Sequence, residues 1–78
     1  MFKELDIAVL RRDVPEHDLK SGDIGAIVHC YDVGEMYEVE FVDAGGKTVA
    51  LLTLGAADIR AMDGSEILHV RGLEKAAA

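Results

Sequence analysis

Residues 37–42 read Tyr-Glu-Val-Glu-Phe-Val, an order that suits a strand and not a helix. Apolar and acidic side chains alternate with a period of two. In an extended chain that puts Tyr37, Val39 and Phe41 on one face and Glu38 and Glu40 on the other. The run closes on Asp43-Ala44-Gly45-Gly46, where glycines can supply the positive φ of a tight hairpin. Two further runs of strand character flank it, Ile24–Tyr31 and Val49–Leu54. Residues 19–54 therefore predict a three-stranded antiparallel meander, with Asp32-Val33-Gly34-Glu35 as its first turn.

The rest of the chain has to pack around that meander. Leu5–Leu10 alternates well enough for a strand, with Leu5, Ile7 and Val9 on one face. Arg11–Gly22 holds several charges and the only proline, Pro15, and reads as a long polar loop. Gly25 inside the second strand predicts a bulge or a close backbone approach. Residues 55–60 are too short for a full helix and suit one 3₁₀ turn. Asp63-Gly64 reads as a turn and Ile67–Val70 as a last short strand. Five short strands without a real helix cannot comfortably leave two open edges, so the economical solution is a closed or half-closed barrel. The expected fold class is all-β, a small five-stranded barrel with a long first loop and one 3₁₀ turn before the last strand.

Seventy-eight residues leave room for one core only, and such a chain buries roughly 60–65 % of the surface its unfolded form exposes. We expect a single domain over 1–78, with its core in 5–71 and a frayed tail at 72–78. Two Tyr, two Phe and no Trp mean that the core must be built from Val, Ile and Leu.

The layout resembles that of SH3-like barrels. Leu19-Lys20-Ser21-Gly22-Asp23-Ile24 sits where such barrels carry a Leu-x-x-Gly-Asp turn after a long first loop, and 56–60 falls where they place their 3₁₀ turn. A closer resemblance lies in Gly-Asp-Ile-Gly-Ala-Ile-Val-His, Tyr-Glu-Val-Glu-Phe-Val-Asp, Ala-Leu-Leu-Thr-Leu and Glu-Ile-Leu-His-Val-Arg. Together these segments look like a bacterial family of small proteins catalogued as domain of unknown function 4926. That resemblance implies a fold and carries no activity, ligand or catalytic residue. Proline-peptide recognition, which many SH3 domains perform, needs a groove of Tyr and Trp. This chain has no Trp, and its two tyrosines, Tyr31 and Tyr37, flank a turn.

Fifteen acidic residues against eight basic ones give a net charge of −7. Nucleic acid and anionic membranes are disfavoured, because phosphate binding draws on clustered Lys and Arg. The only local basic cluster is Arg11, Arg12 and Lys20. No segment approaches the roughly 18 apolar residues of a membrane span, and the N-terminus lacks a signal-peptide run. Cys30 stands alone, so no intramolecular disulfide can form, which fits a reducing cytoplasm.

No set of residues points to catalysis, a cofactor or a metal. His17, His29, His69 and Cys30 show no ligand spacing. Cys30 is a small core residue if its face matches Ala26 and Val28, and a reactive thiol otherwise. Glu35, Glu38, Glu40 and Asp43 line one strand and its turns. They form either a solvated face or a docking surface for a basic partner. Val49–Leu54 is apolar on both faces. Val49 and Leu51 are therefore covered, by Phe2 and Leu5 or by 60–62, or else belong to an interface, homodimeric or with another chain. The expected function is a non-enzymatic, cytoplasmic, acidic protein-interaction module. It would bind through Glu35, Glu38, Glu40, Val49 and Leu51, and be accessory, immunity or antitoxin-like with its partner encoded by a neighbouring gene. The alternative is a nucleic-acid-associated SH3-like barrel.

Overall fold

Among the described residues five strands form one antiparallel sheet in the order β4-β3-β2-β1-β5. They are β1 (Ile7–Leu10), β2 (Ile24–Cys30), β3 (Met36–Val42), β4 (Thr48–Gly55) and β5 (Ile59–Ala61). A 3₁₀ turn at Ala56–Asp58 precedes β5. The structure is a computed structural model that describes residues 2–32 and 35–74. The expected all-β class, the meander and the 3₁₀ turn before the last strand are all present. Val33, Gly34 and 75–78 of the expected tail lie outside the described residues. No helix among the described residues is long and apolar enough to cross a membrane.

The meander places its side chains as the alternation requires. Tyr37, Val39 and Phe41 point into the core with Ile27, Ala50 and Leu54. Asp43 and Gly46 close the β3–β4 hairpin: the Asp43 N–H donates to the Lys47 carbonyl, and Gly46 takes φ +87°. Gly25 is a close approach. A Cβ there would stand 2.8 Å from Val39 Cγ1 and 2.9 Å from the Glu40 carbonyl oxygen.

The bulge of β2 falls three residues later, at Val28, where the register jumps from Ile27↔Val39 to His29↔Glu38. An extra residue inverts the alternation beyond it. Ile27 therefore points inward, Val28 and His29 outward, and Cys30 inward again, half-buried against the core. Cys30 is a core-side residue, but Ala26 and Val28 are not its face.

Three expectations need correction. Of β1, Ala8 and Leu10 join the main core cluster, and the face given to Leu5, Ile7 and Val9 buries only Val9. Leu5 is 83 % exposed, with φ +76°, because the chain turns sharply before it joins the sheet. The Arg11–Gly22 loop is not merely polar: it turns through a 3₁₀ segment at Pro15–His17 and seats Val14 and Leu19 in the core.

The last strand is Ile59–Ala61, not Ile67–Val70. The Gly55 N–H donates to Asp58 Oδ2, and the Arg11 N–H donates to the Asp58 carbonyl. This turns the chain straight onto β1, where Leu10↔Ile59 and Ala8↔Ala61 pair. With β2 on its other side, β1 has no edge left for 67–70. Loop closure favours the segment that arrives sooner.

Candidate functional site

Two regions outside the core collect uncovered or charged side chains: the outer face of the meander, and the arm that follows β5.

On the outer face, Glu40 stands opposite Leu51 of β4 and Ala26 of β2, and Glu38 stands opposite Thr53 and His29. Two residues apart on one strand, the carboxylates are spaced by about 6.6 Å. Neighbouring hydroxyls hold both in place. Tyr31 Oη–H and Thr53 Oγ1–H donate to Glu38 Oε1 at 3.0 and 2.7 Å, and Thr48 Oγ1–H donates to Glu40 Oε2 at 2.6 Å. The bond to Glu38 pushes the Tyr31 phenol above its ordinary pKa. Apolar side chains interleave with these acids: Leu51 is 53 % exposed and Val42 51 %. The His29 ring stacks edge-on against Tyr31 at 4.6 Å between centroids.

Glu38, Glu40 and Leu51 thus lie together, as the sequence suggests. The other two candidates do not join them. Glu35 is exposed at the start of β3, with φ +49°, at the Gly55 end of the hairpin. Val49 lies at the far end. It is the extra residue where the register passes from Phe41↔Ala50 to Val42↔Thr48, and it packs half-buried against the core cluster. Phe2 does not cover the outer face either, because its ring meets Tyr37 on the core side, 5.4 Å between centroids.

Beyond β5 the chain crosses the sheet as an extended arm. Ion pairs fasten it at both ends. Arg60 forks onto Glu66, with Nη1 to Oε1 at 2.9 Å and Nη2 to Oε2 at 2.6 Å. Arg71 Nε donates to Asp23 Oδ1 at 3.0 Å, and its Nη2 bonds Asp23 Oδ2 and the Asp18 carbonyl. The Arg60 fork and the Asp63 N–H pull the Glu66 pKa down to about 2. Burial works against the charged form of Asp23, yet the Arg71 fork and the Lys20 N–H hold its carboxyl below the usual range. Between the pins Ile67 is 91 % and Val70 90 % exposed. Beneath the arm lies an open groove of about 560 Å³, whose sheet wall includes Val9, Ile24, Val42 and Val49. Nothing in the sequence spacing marks the pairing of Asp23 with Arg71, 48 positions apart.

The residues weighed for other chemistry stay apart. His17 is in the loop, His29 on the outer face and His69 on the arm. Among the described residues no three of His, Cys, Asp and Glu converge as metal ligands. Cys30 Sγ–H donates to the Phe2 carbonyl at 3.6 Å. In the basic cluster, Arg12 Nε donates to Asp58 Oδ1 at 3.0 Å, and Lys20 Nζ stands 4.0 Å from Glu74. Two of its three charges are thus already matched.

The family described as Domain of unknown function (DUF4926) matches residues 4–61. The chain belongs to this family. The match ends with β5, so the family domain holds the whole sheet and the outer-face carboxylates, while the arm follows it. No curated protein and no solved structure matches the chain.

Proposed function

We propose that this protein is a small, non-enzymatic, acidic interaction module that docks a basic protein partner on the outer face of β2–β4. One observation carries the reading. Glu38 and Glu40 are held by hydroxyls, side by side, next to an exposed Leu51, with Val42 half-exposed at the margin where the groove beneath the arm begins. Fixing a carboxylate beforehand lowers the ordering cost of a charged contact. Interleaved apolar side chains supply the desolvated centre that a binding face needs. The net charge of −7 would steer a basic partner to it. A partner encoded by a neighbouring gene, and an accessory, immunity or antitoxin-like role in the cytoplasm, suit this size and charge. The Arg12–Asp58 pairing leaves the nucleic-acid reading little free positive charge to work with.

The test is a pull-down from the native cell at low and at high salt, repeated with the double variant Glu38→Lys, Glu40→Lys. A partner captured at low salt, weakened at high salt and lost with the charge reversal is the expected result. Capture indifferent to both salt and the double variant would overturn the reading.

A further inference from the structure

The sheet has two ends, and they are unlike. β5 offers three residues, Ile59–Ala61. β4 offers eight, Thr48–Gly55, and among the described residues it pairs on one side only, with β3. An unpaired strand edge presents a row of free N–H and C=O groups, which natural sheets blunt with lysine, proline, bulges or a covering segment. The bulge at Val49 twists the first two residues of β4, but Ala50–Leu54 runs on without one. Those residues, Ala-Leu-Leu-Thr-Leu, include no charge and no proline, in a chain that carries 23 charged Asp, Glu, Lys and Arg residues, the sum of 15 and 8. Leu51 and Thr53 stay exposed beside that edge.

We propose that the free edge of β4 pairs antiparallel with the same edge of a second copy, joining two five-stranded sheets into one across a two-fold axis. A second copy fits better than a foreign strand, because Ala50–Leu54 offers no charge by which a foreign strand could be selected. An isologous contact needs only that the edge be self-complementary. Leu51 of each protomer then lies beside the outward residues of the other, which removes its exposure.

Net charge does not forbid the contact. In the joined sheet Glu38 and Glu40 stand one strand in from β4, so the carboxylates of the two protomers are three strand spacings apart, about 14 Å. That exceeds the screening length of roughly 8 Å at physiological salt. The inference rests on the strand edge and not on the docking of a basic partner, but the dimer takes Leu51 out of the docking face and leaves Glu38 and Glu40 to the partner. If both hold, the dimer carries two acidic faces side by side on one surface.

Sedimentation velocity of the full chain across the micromolar range tests it, beside Leu51→Lys and Thr53→Lys. Both side chains are exposed, so both variants keep the fold, checked by circular dichroism. Concentration-dependent dimerisation, weakened about tenfold or more by each lysine, is the expected result. Hydrogen exchange at high concentration should also slow amides in 50–54 that exchange freely when dilute. A monomer at several hundred micromolar overturns the proposal, as does a dimer indifferent to both lysines. Glu38→Lys, Glu40→Lys should leave the dimer intact, so failure here is distinct from failure of partner docking.

Discussion

At Gly25 the missing side chain is the structural device. Val39, the Glu40 carbonyl and Phe41 all come within 3.0 Å of where a Cβ would stand, and two of these atoms belong to core side chains with no room to retreat. Gly25→Ala should destabilise the domain by about 1–3 kcal/mol, the usual cost of overpacking, measurable as a lower urea midpoint at unchanged m-value. An unchanged midpoint would show that β3 can give way. Glu66 holds its charge against the Arg60 guanidinium. Its folded pKa is depressed from 4.5 to about 2, so the pinning it contributes is fully present above about pH 4.5 and is lost as pH falls through about 2. Carboxyl ¹³C titration should place its midpoint near 2, rising toward 4.5 in Arg60→Ala. A midpoint near 4.5 in the unaltered chain would mean that the fork does not persist in solution.

Among elements, the edge strand and the arm differ in what holds them. β4 shares its full length with β3 and sends Ala50 and Leu54 into the core. Among its described residues the arm has no ladder. It depends on two arginine forks, the part-buried Arg71–Asp23 and the more exposed Arg60–Glu66, and an ion pair open to solvent contributes little. Opening should therefore begin at the arm, and local opening is cheapest where few apolar contacts must be broken. The family match, ending at Ala61, divides the chain at the same place.

For the whole molecule, the small core sets the margin. A chain of 78 residues at the usual 0.05–0.15 kcal/mol per residue has about 4–12 kcal/mol of stability. Ile27 is fully buried beside Val39 and Leu10, and Ile27→Ala should remove about 2–5 kcal/mol of it. Thermal unfolding followed by circular dichroism should show a loss of order 10 °C or more. A shift of only a few degrees would mean that the core collapses around the gap.

The alternation at 37–42 specified β3, its inward and outward faces and the Glu38–Glu40 pair, because a period of two leaves a strand only one way to bury its apolar half. The turn chemistry at 43–46 and the 3₁₀ turn at 56–58 were legible for the same local reason, whereas the 3₁₀ segment at Pro15–His17 was not. What the chain order could not reveal depended on contacts between distant residues. The bulge at Val28 reversed the parity of Cys30. The one at Val49 withdrew that residue from the face it shares by alternation with Leu51. Competition for the free edge of β1 chose Ile59–Ala61 over Ile67–Val70. Local pattern decides what each segment can be, and tertiary pairing decides which partner reaches it first and in which register.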